Sequence, residues 1–259
     1  MNDEAQPTNR PKEGGKFDPL GYHMRLGFHP KIRLDPKRGW DFGKTLADFI
    51  QPNKSELKED TWTFSQPQGS SSSGFLSVSV GPSDLQMSAS LPIQSKELYE
   101  TRYGLLLKKF GEFFKPELIL GTSAMIHGTI PIDGDARTFL AMHVMNMNPS
   151  RVDQFGRPIH LVGLRFFFPP FRKKGKKGKE AVTDWQVNIK AESLLEDPGK
   201  LYLEADADWP DSEEWDDTTT TKKMEQLGIV ADYLEKNVVA FLQHTPEEQP
   251  GEEPTGDET

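Results

Sequence analysis

The chain has 259 residues, a net charge of −9 and no cysteine. The missing cysteine excludes disulfides, thiolate catalysis, Cys-ligated zinc and iron–sulfur clusters. The negative charge argues against broad nucleic-acid or anionic-membrane binding by the whole surface, though not against one local basic patch. No apolar run approaches the roughly 20 residues of a membrane helix, and no signal-peptide h-region is visible, so a cytoplasmic address is expected.

Residues 1–16 and 244–259 are rich in Pro, Gly and charge and offer almost nothing to bury. Both are expected to be disordered, the second as an acidic C-terminal tail. Residues 17–243 remain as a single domain of ordinary size.

"YHMRLGFHPKIRL" predicts a first strand, and "GWDFGKTLADFI" a short helix ending before Pro52. In "KEDTWTFSQPQ", Trp62 and Phe64 share one face, the period-2 mark of a strand. "GSSSSG" reads as a flexible linker or hairpin loop. "GFLSVSVGPSDLQMSASLP" is the clearest hairpin. Leu76, Val78 and Val80 alternate with polar residues, turn chemistry follows at Gly81–Asp84, and Leu85, Met87, Ala89 and Leu91 alternate again.

"SKELYETRYGLLLKKFGEFFKPE" predicts a helix capped at Ser95 and stopped by Pro116. Tyr99, Tyr103, Leu106, Phe110 and Phe113 form its apolar stripe. "TSAMIHGTIPI" and "ARTFLAMHVMNM" read as strands flanking a "DGD" turn. "HLVGLRFFFPP" and "TDWQVNIKAE" flank a basic segment. "GKLYLEADADW" alternates cleanly, with Leu201, Leu203, Ala205, Ala207 and Trp209 on one face. "TTTTKKMEQLGIVADYLEKNVVAFLQH" closes the core as a threonine-capped helix with 3.6 periodicity that includes Phe241.

These elements predict an α+β fold, in which a curved, mainly antiparallel sheet packs on two principal helices. The element order leaves room for two related halves, about 17–115 and 116–243, without sequence self-similarity to mark a repeat.

The segments "WTFSQPQ", "GFLSVSVGPSDLQMSASLP", "LYETRYGLLLKKFGEFF" and "YLEKNVVAFLQH" together resemble a sporadically distributed prokaryotic family of roughly 260-residue proteins of unassigned function. The family tends to carry an Arg-aromatic-Asn step after the central strands. "LRFFFPP" keeps Leu164, Arg165 and Phe166 and has Phe167 at the Asn position. The resemblance implies a fold and no activity.

Arg172, Lys173, Lys174, Lys176, Lys177 and Lys179 place six positive charges in eight residues. The rest of the chain then carries −15 (−9 minus 6). The segment lies between patterned strands and is expected to form a hairpin loop, whose charge at the least blunts aggregation of its neighbours. A tip standing off the body by more than the Debye length of about 8 Å would feel a nearby partner more than the acidic globule. With Phe168 and Phe171 at its base, it is the leading candidate for partner binding.

Two other groups stand out. Glu204, Asp206, Asp208, Asp211, Glu213, Glu214, Asp216 and Asp217 form an acidic stretch without EF-hand spacing, most simply a solvated strand and loop. His127 and His143 would fall opposite each other if their strands paired across "DGD". Together with Tyr99, Tyr103 and Met125 they could line a ligand pocket, or with Asp133 or Asp135 serve a metal-dependent hydrolase. The more ordinary reading is two sheet histidines satisfied by hydrogen bonds. No G-x-S-x-G elbow, P-loop, H-E-x-x-H or G-x-G-x-x-G is present.

The expectation from sequence is a non-enzymatic cytoplasmic binding or assembly protein, without cofactor or metal. Its basic loop (172–179) would contact an acidic protein surface or a nucleic-acid backbone. The alternatives are a small-molecule binder with its pocket between sheet and helix, and the metal-dependent hydrolase.

Overall fold

The computed structural model describes residues 10–11, 15–47, 50, 54–58, 60–66, 75–90, 96–148, 150, 154, 156–174, 180–182 and 184–243. The expectations for the "GSSSSG" linker, the Ser95 cap and the 244–259 tail lie outside them.

In chain order the strands are β1 (Arg10–Pro11), β2 (Asp18–His29), β3 (Lys54–Lys58), β4 (Thr61–Ser65), β5 (Phe75–Val80), β6 (Asp84–Ser90), β7 (Leu118–Asp133), β8 (Gly163–Phe168), β9 (Arg172–Lys174), β10 (Glu180–Val182), β11 (Gln186–Ser193), β12 (Lys200–Trp209) and β13 (Glu213–Glu214). Helix α1 is Pro36–Leu46, α2 Lys96–Phe114, α3 Ala136–Thr138, α4 Thr219–Tyr233 and α5 Ala240–Gln243. A π-helical turn, Phe139–Val144, continues α3, and another, Leu234–Val239, joins α4 to α5.

The fold is α+β, as predicted. The main sheet runs β3-β4-β5-β6-β2-β7-β12-β11-β8, and β1 and β13 pair with β7 off this path. Every neighbouring pair is antiparallel. Its centre is the β2–β7 pair, with Tyr22 opposite Ile126 and Met24 opposite Ala124. Outward from β2 come β6, β5, β4 and β3; outward from β7 come β12, β11 and β8. Each flank thus lays down a long strand and then returns towards it in reverse chain order.

One face is apolar because the strands alternate. Leu76, Val78 and Val80 on β5, Leu85 and Met87 on β6, and Leu201, Leu203, Ala205 and Ala207 on β12 are buried there. Helices α1, α2 and α4 cover this face. Tyr99, Tyr103, Leu106 and Phe110 of α2 are wholly buried, and the Tyr99 hydroxyl donates to the Met87 carbonyl at 2.8 Å. Phe42 of α1 packs on Phe64, Phe110 and Phe114. Helix α1 seats this low because residue 39 is glycine, where a Cβ would stand 2.4 Å from the Trp62 indole. Asp35 caps α1 by accepting from the Arg38 amide. The opposite face of the sheet carries mainly polar side chains.

Four expectations fail. Arg10 and Pro11, inside the segment expected to be disordered, pair with Asp133 and Ile132 of β7. "ARTFLAMHVMNM" is helical, not a strand. Asp135 accepts from the Arg137 and Thr138 amides, as an N-cap does, and Ala136, Phe139, Leu140 and Ala141 are buried at helical spacing. Thr218 holds the N-cap position of α4 without a side-chain cap bond, and the neighbouring Thr219 hydroxyl accepts from the Asp216 amide instead. Phe241 is 58% exposed, not core.

Lys223 is also unexpected. It is 2% exposed and ion-pairs with Glu213, which fastens α4 to β13 and so to β7. Removing one partner of such a pair leaves an uncompensated charge. Glu213→Gln should therefore lower stability by about 2 kcal/mol, the third of Glu213 left exposed screening part of the effect, which corresponds to roughly 4–8 °C in Tm at this size. Adding Lys223→Met to that variant should restore most of the loss. Thermal unfolding of both variants checks this, and a double variant no better than the single one would refute it.

Candidate functional site

Strand β8 is the last strand of the sheet. It pairs with β11, placing Phe168 opposite Val187 and Gly163 opposite Glu192, and among the described residues nothing pairs with its outer side. Its sequence, GLRFFF, carries one charge and no proline, and every residue but Leu164 is exposed. Period-2 alternation divides the side chains. Leu164, Phe166 and Phe168 lie on the helix side, whereas Arg165 and Phe167 lie on the polar side beside Lys190 and Asn188. Phe166 stacks on Phe168 at 6.3 Å and meets Phe241 edge-on at 6.4 Å. Phe168 meets Tyr233, which stands edge-on to Trp185, itself stacked on Trp209. An aromatic ladder thus runs from the buried core to a solvent-facing rim. Phe167 (54%) and Phe171 (53%) are more exposed still.

Pro169 and Pro170 end the strand, since neither has an N–H for a ladder. Beyond them β9 and β10 form a separate two-stranded ribbon, with Glu180 opposite Lys174 and Val182 opposite Arg172. The expected hairpin character is present in this pairing. Arg172, Lys173 and Lys174 lie on β9; Lys176, Lys177 and Lys179 lie outside the described residues. Among the described residues the ribbon pairs with itself and not with the acidic strand β12.

The histidine pocket is not assembled. Because the chain turns helical after Asp135, β7 has β2 and β12 as neighbours, and His143 sits in the π-helical turn beside Phe139. His127 and Met125 project from the polar face, opposite Glu204 and Asp206. Tyr99 and Tyr103 are buried under α2 on the other face, so the sheet separates them from His127. Among the described residues no group of three or more His, Asp or Glu side chains is placed to hold a metal.

His127 nevertheless anchors a polar cluster that sequence reasoning did not anticipate. Its ring lies over Gly21 of β2, where a Cβ would come within 2.6 Å, and 5.9 Å from the Tyr202 ring. Tyr202 donates to Glu204 at 2.6 Å, and Lys190 pairs with Glu192 at 2.9 Å. His23 bonds Ser88 at 2.6 Å. Burial lowers the His127 pKa, and Glu204 offsets this only in part. Burial first, then Asp208 and Glu204, raise that of Asp206. The His127 ring is held by packing over Gly21 and beside Tyr202, and its buried Nδ1 has no hydrogen-bond partner among the described residues.

A further cleft of about 190 Å³ lies between α1 and β3–β4, lined by Pro36, Gly39, Trp40, Glu56, Leu57, Trp62 and Phe64. Its only sequence cue is the pair of tryptophans. Among the described residues no helix is long and apolar enough to cross a membrane. No family model matches the chain, and no curated protein matches it.

The raised pKa of Asp206 has a definite sign. Its folded pKa exceeds the unfolded one, so both states are protonated in acid and its ionisation opposes folding as pH rises through the carboxylate range. Asp206→Asn should therefore raise Tm at neutral pH and leave it unchanged below the ordinary carboxylate pKa of about 3.9. Thermal unfolding across that range decides it, and a gain of equal size at both ends would contradict the burial argument.

Proposed function

We propose that this is a non-enzymatic, cytoplasmic binding and assembly protein that uses the β8 edge and the β9–β10 ribbon to contact an acidic protein surface. The observation that carries this is the run of Phe166, Phe167 and Phe168 on an edge strand, all exposed, leading directly into a ribbon whose segment bears six basic residues.

The two parts do different work. Exposed charge pairs contribute only about 0.2–1 kcal/mol each and are screened by salt, so the basic residues mainly guide approach and orientation. Aromatic side chains at a rim supply contact area at little entropic cost, because each has only two rotatable bonds to fix. The unpaired N–H and C=O groups of β8 add directional bonds that an extended partner can complete.

The alternative readings have less support in the geometry. The residues considered for a small-molecule pocket include Tyr99 and Tyr103 on one face of the sheet and His127 and Met125 on the other. Of those considered for a hydrolase, His127 and Asp133 lie on β7, whereas Asp135 and His143 belong to the helical segment after it.

The test is retention on immobilised polyglutamate and on immobilised duplex DNA across a salt gradient. The chain should be held by polyglutamate and released by salt. Replacing Arg172, Lys173, Lys174, Lys176, Lys177 and Lys179 with Ser should abolish retention. Unchanged retention of that variant would overturn the reading, as would stronger retention on DNA than on polyglutamate.

A further inference from the structure

We propose that the partner of the β8 edge is a second copy of this chain, bound by antiparallel β8–β8 pairing about a twofold axis through Phe166. This rests on the reading of β8 and its ribbon as a contact surface, and it names the acidic partner.

The two ends of the sheet differ. Strand β3, at the far end, has the sequence KSELK, with a lysine at each terminus, the usual protection of an exposed edge. Strand β8 has no such protection along GLRFFF apart from Arg165. Its two faces are also suited to a copy of themselves, and the choice of register shows why.

Pairing centred on Arg165 would set two guanidinium groups directly opposite each other, which is unfavourable. Pairing centred on Phe167 would draw Pro169 into the ladder, where it has no N–H to give. Centring on Phe166 avoids both. Leu164 then faces Phe168 of the second copy, Phe166 faces its own counterpart, and Arg165 faces Phe167. All helices stay on one side of the joined sheet, because opposite residues in an antiparallel pair point to the same face. The Arg165–Phe167 contact recurs by symmetry and places a cation at an aromatic ring on the polar face.

The same register brings the flanks together. The β9–β10 ribbon then falls at the Gly163 end of the second β8. There Gly163 pairs with Glu192, and the β11–β12 turn presents Leu195, at 66% exposure, and the exposed Glu196. Basic ribbon meets acidic, apolar turn twice over, once in each direction. An isologous pair needs this self-complementarity.

Sedimentation equilibrium of the full chain should give twice the 29.3 kDa of one chain. Phe167→Lys, which sets like charges opposite Arg165, should weaken association by about tenfold or more, a cost near 1.4 kcal/mol. Phe167→Glu offers Arg165 a counter-ion and should stay within about threefold of the parent. Phe167 is exposed, so neither change threatens the fold. The chain has no native cysteine, so Phe166→Cys should form an intermolecular disulfide under mild oxidation. A single-chain mass at every concentration, equal weakening by Lys and Glu at 167, or a dimer in which the Phe166→Cys variant fails to crosslink would each overturn the proposal.

Failure here is separable from failure of the contact reading. A monomer still held by polyglutamate removes only the self-pairing. A dimer indifferent to the six serine replacements and not held by polyglutamate removes only the role of the ribbon.

Discussion

The antiparallel seam between β2 and β7 joins the two flanks of the molecule. Residues far apart along the chain meet across it, from Asp18 opposite Thr129 to His29 opposite Leu118. Within each flank the outer strands pair with near neighbours in sequence. The returns that close it, β6 onto β2 and β12 onto β7, bring together residues such as Gly21 and Ser90 or Pro131 and Lys200, which are closer along the chain than the residues paired across the seam. The seam therefore carries the largest loop-closure cost, and it can form only once both long strands present the same apolar face. Tyr22, Met24, Leu26 and Phe28 on one side and Ala124 and Ile126 on the other supply that face. With the seam closed, α2 has a continuous floor, and Tyr99 can stack on Tyr22 while its hydroxyl reaches the Met87 carbonyl.

Covering one side of so wide a sheet leaves the other side to polar chemistry. Serines and threonines of β4, β5 and β6 give way to His23, His127, Glu204, Asp206 and Lys190 towards the second flank. Several of these groups are held by neighbours, along a strand in the Tyr202–Glu204 and Lys190–Glu192 contacts and across strands in His23–Ser88. Partial burial within this layer sets the directions of the His127 and Asp206 shifts, and neighbouring carboxylates reinforce the second. Chemistry at this surface is distributed rather than focused.

Much of the fold can be read from local pattern. The 75–90 hairpin, the two faces of β12 and the apolar stripe of α2 are where alternation or 3.6 periodicity predicts them, because each pattern is complete within one element. The segment after "DGD" misleads because Phe139, Ala141 and His143 also suit a two-residue alternation. The arbiter is Asp135, whose carboxylate satisfies the first free amides of a helix. Long-range features leave no local trace. Nothing in "TTKKMEQ" marks Lys223 as buried, since its partner Glu213 lies across a turn on β13. The pairing of β7 with β2 and β12 rather than with the residues after Asp135 is likewise a property of the whole sheet, and it dissolves the His127–His143 alignment. Of the candidate site, the aromatic run and the adjoining charges are visible in the sequence at once. The terminal position of β8, which makes that run available, is not.

The unequal margins of this sheet also limit how far association can go. A molecule with two adhesive margins would add copies indefinitely and grow into a ribbon, as cross-β assemblies do. If β8 pairs with its own copy, the phenylalanine margin is used up, and further growth would have to go through β3, whose sequence places a lysine at each end. The proposed pairing would then stop at two, a stoichiometry set by which strand lies outermost.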